Sequence, residues 1–451
     1  MYRQIVAMKE STMDLKKWYS ENLTRRQALK TIGGLTGAGF LIGTGTYNIH
    51  QALTRKVRLA ATPTISPTAT GTGDATSIQH VLIACQENRT FDTYFGMYPK
   101  AGSYGVPPNY TQPDGKGGTV APQHASQPTS TDISHTWSAI HREWDSGTMD
   151  GFVTTDGTGS MIYYDGSDLP YYYALADNFT LCGNYFCSLL GPTDPNRLYL
   201  WTATSGGNTS NSIRHGSLAW PAIVDLLDAQ QISWKCYNIG LGSTTNSLEV
   251  FNTLIFFSKW QNDPRIKFTE NDYYNDLQAG SLPQVSFIIT EGNVSEHPPQ
   301  SILLGQKKMA QVTNALIASS AWTSSALFFT YDEGGGFFDH VAPPQVDAYG
   351  LGFRVPMLLV SPYTKRGYVS GQLYEHSSVL KFLERRYGLP TLASVNHQFD
   401  TQTPGTNNAA ANGAATGPAA PPRDALSQLG DFYEAFDFTQ DPNYYPTLPP
   451  V

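Results

Sequence analysis

The chain has 451 residues, 15% of them charged and 12% aromatic, with 41 glycines and 29 prolines, which describes a loop-rich globular protein of one large domain or two ordinary ones. Its net charge of −8 is uneven: residues 1–60 hold 10 Lys/Arg against 3 Asp/Glu, leaving 29 − 10 = 19 basic and 37 − 3 = 34 acidic residues, a net of −15. A body that acidic lacks the basic footprint that a nucleic-acid backbone requires, so nucleic acid is excluded as a partner.

Near the N-terminus, Thr24-Arg25-Arg26-Gln27-Ala28-Leu29-Lys30 precedes the uncharged run from Thr31 to His50. This resembles a twin-arginine export signal. Gly33, Gly34, Gly37, Gly39, Gly43 and Gly45 make the run a poor amphipathic helix. Residues 1–59 therefore read as an export signal, either cleaved or kept as an N-terminal membrane anchor, which places the protein outside the cytoplasm, secreted or at the cell surface. Residues 60–77 are Thr/Pro/Ala-rich and read as a linker. Residues 78–451 read as a single catalytic domain, in which no segment approaches the length of a membrane span.

The first strand, Ile78 to Cys85, runs into Glu87 and Asn88. A later apolar strand, Ala326 to Tyr331, runs into Asp332, Glu333, three glycines, Asp339 and His340. In an open α/β sheet, ligands bind just beyond the carboxyl ends of strands. Carboxylates gathered there are costly to desolvate, and a hard cation is their natural partner. Gly334, Gly335 and Gly336 let the backbone turn sharply and come close to a neighbour. Between the two strands, Gly191-Pro192-Thr193-Asp194-Pro195-Asn196-Arg197 leads into a helical run. Locally Thr193 reads as an N-cap; a helix N-terminus is also where phosphate binds. Cys182 and Cys187 could form a local disulfide in an exported chain, whereas Cys85 and Cys236 read as buried free thiols.

The run Gln86-Glu87-Asn88-Arg89-Thr90-Phe91-Asp92-Thr93-Tyr94-Phe95-Gly96 is followed in order by His135-Thr136-Trp137, by Trp144 to Phe152, by Gly191 to Arg197, by Glu296-His297-Pro298 and by Tyr331 to Val341. Glu375 to Leu380 and Gly430 to Phe438 complete the series. Together they resemble the bacterial phosphoesterase family that holds phosphatidylcholine-type phospholipases C and respiratory-burst-inhibiting acid phosphatases. The resemblance implies an alkaline-phosphatase-like α/β fold, a central mostly parallel sheet with helices on both faces. It places Thr193 as nucleophile and His135, His297 and His340 around the phosphoryl group. It gives Glu87, Asn88, Asp332 and Glu333, with Thr193, as ligands of one divalent metal ion. Three carboxylates sum to about −3 and one such ion brings that to about −1. An all-oxygen set favours Mg²⁺, Ca²⁺ or Mn²⁺ over Zn²⁺.

Asp339, His376 and Arg197 read as support around that site, Asp339 by orienting His340 or a neighbouring loop. Arg89, Asp92, His80, His141 and His397 read as structural. The Thr193-Asp194-Pro195-Asn196-Arg197 spacing also matches the sulfatase signature, whose Cys or Ser is oxidised to an aldehyde; threonine would give a ketone. The leading expectation is an exported, metal-dependent, acid-phosphatase-like enzyme that hydrolyses phosphate esters through a phospho-threonine intermediate. The alternative is a phospholipase C acting on a phospholipid head group, with the Tyr-rich stretch Tyr163 to Tyr173 at the cleft mouth; a third is a non-catalytic cell-surface binding protein on the same scaffold. The larger phospholipases of the family carry further C-terminal domains, and the chain ends at Val451 without them, which favours the smaller phosphatase type. Residues 401–422 read as a low-complexity surface loop.

Overall fold

The computed structural model describes residues 74–240, 251–290, 292–403 and 417–451. The export segment, the linker up to residue 73 and the middle of the low-complexity stretch lie outside the described residues. Eight strands form one sheet: β1 (His80–Gln86), β2 (Thr180–Cys182), β3 (Trp234–Ile239), β4 (Phe268–Thr269), β5 (Val285–Thr290), β6 (Ser325–Tyr331), β7 (Met357–Val360) and β8 (Tyr368–Ser370), in the order β8-β2-β7-β6-β1-β5-β3-β4. Only β7 runs antiparallel to its neighbours β6 and β2; the other pairings are parallel. The seven residues of β6 are all buried, as the unbroken apolar run Ala326 to Phe329 requires of a strand covered on both sides.

Five helices matter for the site: α1 (Trp137–Trp144), α2 (Pro170–Asn178), α3 (Thr193–Thr202), α4 (Ile302–Ala318) and α5 (His376–Tyr387). Consecutive strand side chains point to opposite faces. Phe328 packs on Phe382 of α5, ring centroids 4.9 Å apart, while the next residue, Phe329, packs on Tyr172 of α2 at 5.2 Å. Helices therefore cover both faces, as expected. Trp201 of α3 stacks on Phe287 of β5 at 4.1 Å. The pairing of β1 with β6 sets Gln86 opposite Tyr331, so the chain leaves the two central strands side by side, Glu87 next to Asp332.

Three expectations are corrected. The Tyr-rich stretch does not line a cleft mouth: Tyr164, Tyr171, Tyr172 and Tyr173 are buried, because the last three lie in α2 and pack against the sheet. All four cysteines are buried free thiols; Cys182 ends β2, and the Cys187 sulfur points to the Leu189 carbonyl at 3.6 Å. The far end of the 401–422 stretch is docked, with Ala420 buried and its N–H donating to the Phe399 carbonyl. No helix among the described residues is long and apolar enough to cross a membrane.

Candidate active site

Glu87, Asp332 and Glu333 are wholly buried where β1 and β6 end. Asn88 turns into the left-handed region, φ 59°, a conformation asparagine tolerates, and its N–H donates to Asp332 Oδ1 at 3.1 Å. Gly335, φ 64°, comes so close that a Cβ there would lie 2.6 Å from the Asn88 Cβ. Its N–H donates to Glu333 Oε2 at 2.6 Å, and Glu333 N–H donates to Asp332 Oδ1 at 2.8 Å. The glycines thus permit the close approach anticipated for them.

Arg197 reaches into the cluster from the second turn of α3. Its Nε donates to Glu87 Oε1 at 2.8 Å, its Nη2 lies 2.5 Å from the same oxygen, and Nε lies 3.5 Å from Asp332 Oδ2. A guanidinium is always charged, so the ionised cluster sums to about −2 and one divalent cation closes it to zero. Without that cation, burial and then Asp332 push Glu87 well above the usual carboxylate range. Burial likewise pushes Glu333 up to about 8, with His135 opposing and Asp332 adding to the rise. Asp332 Oδ2, buried, has no hydrogen-bond donor.

The Asn88 amide completes the fit. One end lies 3.0 Å from Glu87 Oε2, 3.2 Å from Glu333 Oε1 and 3.3 Å from Asp332 Oδ1; the other lies 2.9 Å from His297 Nε2. With NH₂ towards the acids, the two N–H groups of the amide are shared among the three. With a cation among them it turns its oxygen inward as a ligand and its NH₂ towards His297. Neighbouring oxygens around a hard cation sit about 3 to 3.5 Å apart when metal–oxygen distances are about 2.1 to 2.5 Å, which is the spacing seen here. Three carboxylates and an amide oxygen are the donor chemistry of a divalent, oxygen-liganded ion, and the distances from the Asn88 amide match its spacing.

Thr193 is the first residue of α3, with Pro192 in the cap position and no side-chain capping bond. The N-cap alternative therefore does not apply. Its hydroxyl donates to Glu87 Oε2 at 3.4 Å. The five residues Glu87, Asn88, Thr193, Asp332 and Glu333, far apart in sequence, are thus brought together at one end of the sheet.

Two of the three histidines stand beside this cluster. His135 Nδ1 donates to the Ile133 carbonyl at 2.8 Å and its Nε2 lies 3.9 Å from Glu333 Oε1. Burial lowers its pKa, but Glu333 and the carbonyl outweigh burial and hold it above the usual imidazole value. His297 Nδ1 donates to the Pro298 carbonyl at 2.6 Å, and the two rings meet edge to face at 5.6 Å. His340 makes no hydrogen bond to the acids. Its Nδ1 pairs with Asp92 Oδ2 at 2.6 Å, not with Asp339. Asp339 instead accepts from Arg354 Nε at 2.9 Å, because the guanidinium packs between the two aspartates. Asp92 thus orients His340, while Asp339 accepts from the Val341 N–H at 2.9 Å and holds its own loop, the other role open to it. His376, at the start of α5, donates from Nε2 to the Tyr331 carbonyl at 3.0 Å and sits 2.9 Å from Ser188 Oγ, behind the strand end. His141 bonds within its own helix, to the Trp137 carbonyl at 2.7 Å.

Sequence reasoning missed Arg354 and Glu296. Arg354 left one faint trace, a lone charge in the apolar run Phe353 to Met357. Glu296 lies in a quoted motif, but its burial among tyrosines from three segments leaves no local mark.

Buried carboxylates at the ends of two central parallel strands, a free hydroxyl at a helix N-terminus and imidazoles beside them make up the equipment of a phosphoric ester hydrolase. The chain belongs to the phosphoesterase family, whose model matches residues 78–390. It is 30% identical to the "Non-hemolytic phospholipase C" of Burkholderia pseudomallei, over 95% of this chain and 67% of that protein. It is 30% identical to "Phospholipase C A" of Mycobacterium tuberculosis, over 82% of this chain and 81% of that one. A Pseudomonas aeruginosa "Non-hemolytic phospholipase C" is 32% identical over 70% of this chain, which spans 55% of that relative's length. Among solved structures, a protein in the alkaline phosphatase superfamily from Vibrio parahaemolyticus aligns with TM-score 0.38 and 13% identity over 72% of this chain and 69% of that one.

Proposed function

We propose that this chain hydrolyses phosphate esters with Thr193 Oγ1 as the attacking group. The observation that carries the reading is the Thr193 hydroxyl itself. It sits at a helix N-terminus, is spent on no capping bond, and lies 3.4 Å from a buried carboxylate. Glu87, Asn88, Asp332 and Glu333, with Thr193 Oγ1, would hold a divalent cation, which when bound favours ionisation of the hydroxyl and offsets phosphate charge. The Thr193 proton is lost to solvent, the Oγ1–P bond forms as the ester P–O bond breaks, and an imidazolium gives its proton to the leaving oxygen. Water then attacks phosphorus, the Oγ1–P bond breaks, and Thr193 regains its proton as phosphate leaves. His135 and His297 are assigned to the equatorial oxygens, with Nδ1 of each fixed on a backbone carbonyl; His135 Nε2 is left for the substrate, whereas His297 Nε2 meets the Asn88 amide at 2.9 Å. His340 is assigned to the leaving oxygen.

Two substrate readings follow. A lipid phosphodiester is favoured by the relatives, phospholipases C by name, and by two consecutive exposed leucines, Leu303 and Leu304, which follow His297 closely in the chain. A phosphomonoester, the acid-phosphatase reading, is supported by the imidazoles of His135 and His297, which meet edge to face at 5.6 Å beside the acids and could serve a terminal phosphate. Turnover of p-nitrophenyl phosphate and of phosphatidylcholine vesicles is compared on one preparation, with and without chelator. We expect the preferred ester to need the cation and Thr193, and phosphate to be trapped on Thr193 at acid quench. Turnover indifferent to both chelator and Thr193→Ala would end the proposal. Export rests on Arg25 and Arg26, and changing both to Lys is expected to leave active protein in the cytoplasm.

A further inference from the structure

The loop that begins with Asp332 and Glu333 ends in a second buried cluster that the chemistry above does not use. Arg354 lies at its centre, wholly buried. Nη2 donates to Asp92 Oδ1 at 2.8 Å and Nε to Asp339 Oδ1 at 2.9 Å, while Nη1 donates to the Tyr104 and Gly183 carbonyls at 2.9 and 3.1 Å. The guanidinium also lies over the Phe91 ring, 4.5 Å from its centroid. Asp92 Oδ2 accepts twice from His340, from the backbone N–H at 2.7 Å and from Nδ1 at 2.6 Å. Asp92 and Asp339 are fully buried, and the His340 ring alone reaches solvent, at 11% exposure.

Side-chain atoms of Asp92, Asp339 and His340 lie within 4.8 Å of one another, which would also suit a metal ion. The guanidinium already occupies the space between the two carboxylates, so that place is filled. A carboxylate accepts only, so the proton on this side of the ring resides on Nδ1. Nε2 is left as the working nitrogen, with no hydrogen bond among the described residues. The arrangement of acid, imidazole and a third group that fixes the acid is the one that sets tautomer and ring orientation in hydrolytic dyads.

We infer that Asp92, held by Arg354, is a positioning residue that fixes His340 with Nε2 free to protonate the leaving oxygen. The inference rests on the reading in which His340 serves that oxygen. Asp92 touches no substrate and acts through the ring.

The groups facing His340 are Asp92, Arg354 (Nη2 3.3 Å from Nδ1), Asp339 through that guanidinium, and the Tyr110 ring edge-on at 6.1 Å. Replacing Asp92 by a neutral amide removes the nearest negative charge and leaves the Arg354 guanidinium facing Nδ1 at 3.3 Å.

The test is a double-mutant cycle on the full chain with cation, using whichever p-nitrophenyl ester it turns over, from pH 4.5 to 8.5, normalised to folded protein by circular dichroism. Asp92→Asn is expected to lower kcat about tenfold to a hundredfold and to move the alkaline limb about one unit towards acid. In a His340→Ala background the same change is expected to cost less than about twofold. Equal factors in both backgrounds would show a merely structural role and overturn the inference. Asp92→Glu keeps the charge that pairs with Arg354 and serves if the amide variant does not fold. It is expected to lower kcat with the limb in place, and an unaltered kcat would also overturn the inference. A silent His340→Ala would remove His340 from the reaction, whereas loss of turnover in Thr193→Ala tests phosphoester hydrolysis separately.

Discussion

Two buried acids near the ends of the central strands show opposite ways of hiding a charge. Glu296, wholly buried, accepts from Tyr172 at 2.5 Å and Gln86 Nε2 at 3.2 Å on one oxygen, and from Tyr94 at 2.5 Å and Tyr331 at 2.9 Å on the other. Burial raises its pKa and the tyrosine hydroxyls hold it back. Every lone pair has a neutral donor and nothing remains to bind. Asp332 is just as buried, yet one oxygen has no donor, and its neighbours are two more acids and a single guanidinium. Glu296, saturated with neutral donors, is part of the fold; Asp332, short of one donor and beside two further acids, keeps capacity for a cation. A further case lies at the end of α5, where burial and then Asp424 push Glu384 up to about 10.

The largest effect should come from the hydroxyl that faces the unsaturated cluster. Thr193→Ala is expected to lower kcat by at least about 10⁴-fold, with folding and cation binding kept, as measured by steady-state turnover and by calorimetry. Asp332→Asn tests the cluster itself. Wild-type protein should gain about 2.7 kcal/mol of stability from a cation at a hundred times its Kd, read as a rise in Tm, and the variant should lose both that rise and most of its turnover. If Asp332→Asn kept the cation response, the site proposed here would be wrong.

Glu296→Gln is the converse experiment. It should destabilise the fold by about 1 to 3 kcal/mol by disturbing a saturated acceptor, yet leave the cation response intact and kcat within about threefold. A lost cation response there would erase the distinction drawn between the two acids.

The smallest effect concerns Glu384. Its folded pKa is raised, so the fold prefers the protonated acid. Stability from this group is full below the unfolded value of 4.5 and falls as pH rises towards about 10. Glu384→Gln should therefore match wild type near pH 4 and be more stable at pH 8, by roughly 1 kcal/mol or about 2 °C in Tm. A variant less stable than wild type at pH 8 would mean that the acid is ionised in the fold.

Much of the site was legible in the sequence because its chemistry sits where strands end. Apolar runs fix β1 and β6, and an acid placed directly after a buried strand has few places to go. Glu87, Asn88, Asp332 and Glu333 could thus be named before their meeting was seen, and so could the glycines that let the two loops touch. The helix start at Thr193 was legible too, but its cap was misjudged by one residue: Pro192 holds the cap position and frees the hydroxyl.

What the sequence could not hold was the identity of partners across long separations. Tyr163 to Tyr173 looked like surface because tyrosine suits both a cleft and a core; only the packing of α2 on the sheet buried those rings and aimed Tyr172 at Glu296. Asp92 looked structural and Asp339 looked like the partner of His340, its neighbour in the chain. The fold exchanged their places, because Arg354 wedges between the two carboxylates and only Asp92 Oδ2 is left facing the ring. Strand period and strand-end position are written in a few consecutive residues, so the sequence alone determined where the acids emerge. Which buried charge meets a neutral donor, a guanidinium or another acid depends on segments from 15 to 262 residues apart, and only the tertiary structure decided that.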